Sequence, residues 1–223
     1  MSRLLLLLAV CSLLVAACGS DDKSEDATPT PDSAQSAQEE TGCQAVSDPG
    51  SKDVGKLAKP KTKLSASKTY VATISTNCGD FEITLDSKRA PKTGGSFKYL
   101  ADKGFFDNTT FHRIEGNFVI QGGDPTETQS GDAGYKVEEE PPANLEYTKG
   151  VVAMAKSETE PPGTSGSQFF VVTAADAGLP AEYALVGKVS EGMDVVETIG
   201  KLGTPEEKPK QPVLIKKMTI EPG

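Results

Sequence analysis

The sequence predicts a mainly β domain over residues 67–223: a closed eight-stranded antiparallel barrel capped by two helices. Three observations carry this. Eight short runs rich in β-branched and aromatic residues recur between Tyr70 and Ile220, bounded by Gly, Pro, Asn and Asp. Only two segments carry helix signals. No repeat or composition shift divides the stretch, and about 155 residues suffice for one core. A sheet of this many short antiparallel strands removes its exposed edges by closing on itself.

The first two runs, TYVATIST (69–76) and DFEITLD (80–86), flank Asn77-Cys78-Gly79 and read as a hairpin. A helix is expected over PKTGGSFKYLADKG (91–104), with Pro91 near its start and Gly104 at its end. Gly94-Gly95 weakens it, since each glycine costs about 1 kcal/mol against alanine inside a helix. Strands follow at TFHRI (110–114), FVIQG (118–122), GVVAMA (150–155), QFFVVT (168–173), LVGKV (185–189) and VLIKKMTI (213–220). The second helix is MDVVETIG (193–200).

The N-terminus is of another kind. Residues 1–17, MSRLLLLLAVCSLLVAA, hold Arg3 and an apolar run too short for a comfortable membrane span, which fits a secretory signal peptide. Val15-Ala16-Ala17-Cys18-Gly19 resembles the lipobox of bacterial lipoproteins, whose cysteine receives a diacylglycerol group; an ordinary cleavage site is the alternative. The resemblance implies lipidation of Cys18, a membrane anchor, and a location on the extracytoplasmic face of the cell membrane. Residues 18–66 lack apolar periodicity at their start and read as a disordered acidic linker. Eight acids and one lysine fall between Cys18 and Gly50, so most of the net charge of -9 lies there. The remaining 51–223 is nearly balanced, with no basic patch to suggest nucleic acid. With Cys11 lost in the signal and Cys18 lipidated, Cys43 and Cys78 remain in an oxidising compartment, where a disulfide is the simplest outcome and two free thiols the other.

Several tempting motifs fail. Gly163-Thr164-Ser165-Gly166-Ser167 lacks the final glycine of a nucleophile elbow and leads into a strand. A single histidine, His112, without paired cysteines or HExxH assembles no zinc site of known spacing. His112 would also have to be the base of any Ser-His-Asp triad, and no nucleophile context accompanies it. Asn108-Thr109-Thr110 is a glycosylation sequon by pattern only. No metal and no cofactor is expected.

Three blocks do carry chemistry: FHRIEGNFVIQGGDP (111–125), SGSQFFVVT (165–173) and YALVGKVSEGMDVVETI (183–199). Together they resemble the cyclophilin family of peptidyl-prolyl cis/trans isomerases, over nearly all of residues 69–221. The resemblance implies an eight-stranded barrel with a helix at each end, and an outer groove that accepts Xaa-Pro segments. By motif, Arg113 matches the catalytic arginine, with Phe118 and Gln121 as its catalytic neighbours. Val119, Ala155, Gln168, Phe170, Leu179 and Tyr183 match substrate-binding positions. Partners would be proline-containing polypeptides and, through the anchor, the membrane; a monomer is expected.

The chemistry suits these residue types. Delocalisation of the prolyl nitrogen lone pair sets a barrier of about 18–20 kcal/mol, and no bond breaks during rotation. What helps is a donor to that nitrogen as it pyramidalises in the twisted state, and a guanidinium supplies one at any working pH. His112 is unneeded for this; strand alternation would point it away from Arg113 and leave it a structural residue. The same alternation puts Val119 and Gln121 on one face. The chain departs from the family pattern at Glu115-Gly116-Asn117, at Lys156, in SETEPP (157–162), which carries an insertion of about three residues, at Gly178 and at Val186. Gly178 stands where many members have a tryptophan that contacts cyclosporin, so at most weak cyclosporin binding is expected. A non-catalytic module that holds proline segments, and a structural envelope spacer, are the competing functions.

Overall fold

The computed structural model describes residues 41–223; the expected signal peptide and Cys18 lie outside the described residues. In chain order the elements are β1 (Tyr70–Thr76), β2 (Gly79–Leu85), α1 (Pro91–Asp102), β3 (Thr109–Thr110), β4 (Arg113–Glu115), β5 (Val119–Gly122) and β6 (Val137–Glu138). There follow β7 (Val151–Met154), β8 (Thr164–Ser165), β9 (Phe169–Val172), β10 (Leu185–Glu191), α2 (Met193–Gly200) and β11 (Leu214–Pro222). Among the described residues, nine strands form one antiparallel sheet in the order β3-β11-β1-β2-β10-β7-β9-β5-β4, and β6 pairs with β8 apart from it.

The sheet is strongly curled but it is not the closed eight-stranded barrel that the sequence predicts. Its two edges are β3 and β4, which are parts of the single run TFHRI. Phe111 interrupts that run by turning into the core, fully buried, while its backbone N–H donates to Val213 O at 2.9 Å. Beyond the break, the Ile114 N–H donates to Glu207 O at 2.8 Å. A connecting loop thus covers the edge that a closing strand would have paired, which also shields it from other chains. The remaining predicted strands and both helices form, with ends shifted by a residue or two. The two-residue β6 and β8 have no counterpart among the strands that the sequence predicts.

Period-two alternation sorts the apolar residues onto two faces. Inward go Ile114, Ile120, Val152, Phe169, Val171 and Val186, all at most about 1 % exposed, into the main core. At its centre Phe97, Phe106, Phe111 and Phe169 meet in tilted and edge-to-face pairs with centroids 5.1–5.9 Å apart. Outward go Val119, Val151, Ala153, Phe170, Val172 and Leu185, which form a second buried cluster with Ala90 and Tyr147. This explains why these strands read as continuous apolar runs: both faces of the wall are covered.

The segment expected to be a disordered linker departs from that expectation over residues 43–66. It has no regular secondary structure beyond a turn at its end, yet it lies against the domain. Cys43 is fully buried and disulfide-bonded to Cys78 in the β1–β2 turn. Lys52 donates its ammonium to Gly104 O and Asp107 O, both at 2.7 Å, beyond the C-terminal end of α1. Leu57 N bonds Ala133 O at 3.0 Å, and Leu64 N bonds Pro91 O at 2.9 Å at the start of α1. This strap also accounts for Gly94-Gly95. A Cβ on Gly95 would stand 2.4 Å from Thr62 O, and one on Gly94 would stand 2.5 Å from Leu64 Cδ1. The helix gives up propensity so that an extended chain can pass at backbone distance.

Candidate active site

The outer face of β4, β5 and β9 carries the candidate site. Antiparallel register sets Arg113 opposite Gln121, and Gln121 opposite Phe170, so three of the predicted side chains are adjacent by backbone pairing alone. Phe118 sits just before β5. Ala155 follows β7, where its N–H bonds Gln168 O at 2.9 Å. Leu179 and Tyr183 come from the loop before β10. Arg113, Phe118, Val119, Gln121, Ala155, Phe170, Leu179 and Tyr183 line one depression of about 220 Å³, joined by Lys156. Gln168, the ninth predicted residue, lines the neighbouring depression and accepts from Gln121 Nε2 at 2.9 Å. Gln168 Nε2 in turn donates to Gln129 O and Gly131 O, each at 3.1 Å.

The floor is apolar and the rim is polar. Val119 and Phe170 are buried, and the Phe170 ring meets Tyr183 edge-on at 5.5 Å. Tyr147, outside every motif block, holds this wall from behind. It is fully buried, donates its hydroxyl to Tyr183 O at 2.6 Å, and accepts from Tyr183 N at 2.9 Å. Burial pushes its phenol up to about 12, the hydrogen bond to Tyr183 O offsetting part of the rise. Tyr147 therefore stays a neutral donor throughout the working range. Lys156 runs along the same wall with its Nζ 5.5 Å from the Tyr183 ring centre and 3.5 Å from Glu182 Oε2.

Arg113 is 21 % exposed and engaged on several sides. Its Nε donates to Glu207 Oε2 at 2.6 Å and its Nη2 to Glu115 Oε2 at 2.5 Å. Nη1 reaches Gln121 Oε1 at 3.4 Å, and the guanidinium carbon lies 5.9 Å from the Phe118 ring centre. Neither carboxylate partner follows from the motif blocks: Glu115 departs from the family pattern, and Glu207 is distant in the chain.

His112 does not line this depression. It falls in the break between β3 and β4, 8 % exposed, and faces a separate depression with Thr110, Glu127 and Gln211. Neither ring nitrogen has a hydrogen-bond partner. Burial holds its pKa below the ordinary 6.5; Asp124 opposes that shift, Arg113 adds to it, and a marginal approach of the Gln168 side chain, outside hydrogen-bond geometry, opposes it. Among the described residues no cluster of His, Cys, Asp and Glu could hold a metal ion.

Comparisons with known proteins bear on the family. The family described as "Cyclophilin type peptidyl-prolyl cis-trans isomerase/CLD" matches residues 71–220. The "Peptidyl-prolyl cis-trans isomerase-like 1" of Neurospora crassa is 40% identical over 152 residues, covering 66% of this chain and 91% of the relative. The "Probable peptidyl-prolyl cis-trans isomerase A" of Mycobacterium bovis is 37% identical over 171 residues, covering 68% and 92%. A crystal structure of a Cryptosporidium parvum cyclophilin type isomerase superposes with TM-score 0.64 at 32% identity, covering 69% of this chain and 98% of that one. A second structure of that protein, in the presence of the dipeptide Ala-Pro, gives 0.63 at 33% identity. From its match over residues 71–220 and its curled two-helix sheet, the chain belongs to the cyclophilin-type peptidyl-prolyl cis-trans isomerases.

Proposed function

We propose that this protein accelerates rotation about Xaa-Pro bonds in exported polypeptides, with Arg113 stabilising the twisted amide. The observation that carries the proposal is convergence: eight of nine motif positions line one depression with an apolar floor, with the only guanidinium there on its wall. The proline ring would sit against Phe118, Val119, Phe170 and Leu179, while Ala155 and the two glutamines hold the flanking backbone. Arg113 then donates to the prolyl nitrogen as its lone pair localises. That interaction is stronger in the transition state than in the ground state, which is the requirement for raising the rate. The Ala-Pro dipeptide present with the Cryptosporidium relative supports an Xaa-Pro occupant.

A coupled assay with a defined Xaa-Pro peptide tests this against an uncatalysed exchange that takes tens to hundreds of seconds. The wild type should exceed background, and Arg113→Ala should lose about 10²–10³-fold while staying folded. Binding without acceleration would instead indicate a module that only holds proline segments. Weak or absent inhibition by cyclosporin is expected from Gly178.

The location we propose is the extracytoplasmic face of the cell membrane, anchored by a lipid on Cys18. Support comes from the lipobox-like Val15–Gly19 and from the Cys43–Cys78 disulfide, since such bonds persist in oxidising compartments. Among the described residues no helix is long and apolar enough to cross a membrane. Intact-mass analysis of membrane fractions should give a mature chain starting at a diacylated Cys18. An unmodified Cys18, or a chain retaining residues 1–17, would overturn the anchor.

A further inference from the structure

We propose that Glu207, assisted by Glu115, is a positioning residue for Arg113: the two carboxylates fix the guanidinium so that its Nη1 end faces the groove. This rests on the catalytic reading of Arg113 above. The two acceptors occupy the Nε–Nη2 edge of the guanidinium, at 2.6 and 2.5 Å. Of the five N–H groups on the fork, those on Nη1 are left with one long contact, 3.4 Å to Gln121 Oε1. Gln121 itself lines the groove, so the lightly held end of the fork is the one next to the substrate site. A guanidinium free to rotate about its long stem would spend most of its time elsewhere, and a donor misplaced by an ångström loses much of its effect.

The backbone around Glu207 is built for this contact. Glu207 adopts φ +61, a left-handed conformation that a non-glycine residue occupies only at a cost. The turn is held by Glu207 N to Thr204 O and Thr204 N to Lys208 O, both at 2.9 Å, and by the Gly203–Pro209 bridge. Glu207 O then accepts from Ile114 N at 2.8 Å, next in chain to Arg113. One residue thus caps the edge of β4 with its carbonyl and grips Arg113 with its carboxylate. Both glutamates are half-buried, their side chains 39% exposed for Glu115 and 45% for Glu207, and ion pairs this open to solvent add little to stability. Orientation is the property such a pair can supply here. Because glycine is at ease with φ near +60, Glu207→Gly keeps the turn and deletes the grip, which separates the two roles.

The experiment compares the full chain with Glu207→Gly and Glu207→Gln, measuring kcat and KM on an Xaa-Pro peptide, the urea midpoint, and the NMR signal of the Arg113 Nε–H. The expected result for Glu207→Gly is an unchanged or raised urea midpoint, about a tenfold fall in kcat with KM little moved, and a weakened Nε–H signal. Glu207→Gln, whose amide oxygen still accepts from Nε, should recover most of the rate. Should Glu207→Gly unfold more easily than the wild type, the Nε–H signal of Glu207→Gln decides: retention with activity supports positioning. Wild-type kcat and an intact Nε–H signal in Glu207→Gly overturn the proposal. So does a loss that appears only in KM. An inactive wild type, or an Arg113→Ala variant that keeps its rate, overturns the catalytic reading of Arg113 itself, and is distinguishable from both.

Discussion

His112 and Arg113 are neighbours in the chain with opposite fates. Arg113 begins β4 on the outer face; His112 lies in the break before it and is enclosed with no hydrogen-bond partner. The chemistry of amide rotation favours the cation that never titrates, and the buried imidazole carries a pH cost instead. Its folded pKa is below the ordinary 6.5, so between the two values the unfolded chain binds the extra proton. The related stability is fully present above 6.5 and is lost as the pH falls through the lowered folded value. Urea midpoints taken from about pH 8 to about pH 5 should therefore fall more steeply for the wild type than for His112→Gln. Equal slopes would show that His112 charges as readily in the fold as out of it. Tyr147 makes the companion case. Removing its hydroxyl in Tyr147→Phe leaves the Tyr183 N–H and carbonyl without their partner, and should cost about 1–3 kcal/mol by chemical denaturation. A neutral result would mean that Tyr183 finds other partners.

Among the elements, the strap over residues 43–66 and helix α1 depend on each other. Gly95→Ala favours an isolated helix by about 1 kcal/mol, but here its methyl would collide with Thr62 O. Faster amide exchange at Leu64, whose N–H bonds Pro91 O, is the expected outcome, and unchanged exchange would show that the close approach carries no weight. The strap was not legible in the sequence because its contacts come from single residues, Cys43, Lys52, Leu57 and Leu64, at irregular spacing. Such a pattern matches neither a period of two nor one of 3.6. What could have exposed it is the glycine pair itself, an unexplained weakness inside a helix that otherwise reads well. Strand β4 illustrates the same limit. Its residues were legible, but its split from β3 depends on Phe111 turning inward and on a loop arriving from Glu207.

At the scale of the molecule, the disulfide ties the incoming chain to the first hairpin across a separation of 35 residues. Loop closure of that length is worth about 3–4 kcal/mol, so the Cys43→Ser, Cys78→Ser double variant should be less stable by about that amount. Stability within 1 kcal/mol of wild type would mean that the strap's other bonds already hold it, at about the value of one net hydrogen bond. The candidate site was legible where the motif blocks are contiguous, since strand pairing places Arg113, Gln121 and Phe170 side by side. It was not legible where partners come from afar: Glu207 meets Arg113 across 94 residues, and Tyr147 stands outside the blocks.

The central claim is that Arg113 favours the twisted amide over either planar ground state. NMR exchange spectroscopy on one Xaa-Pro peptide reads both quantities at once, the dissociation constant and the cis/trans interconversion rate on the protein. For Arg113→Ala the interconversion rate should fall by about 10²-fold or more while peptide affinity changes only slightly. A variant that loses affinity and rate in equal proportion, or that keeps both, would contradict it.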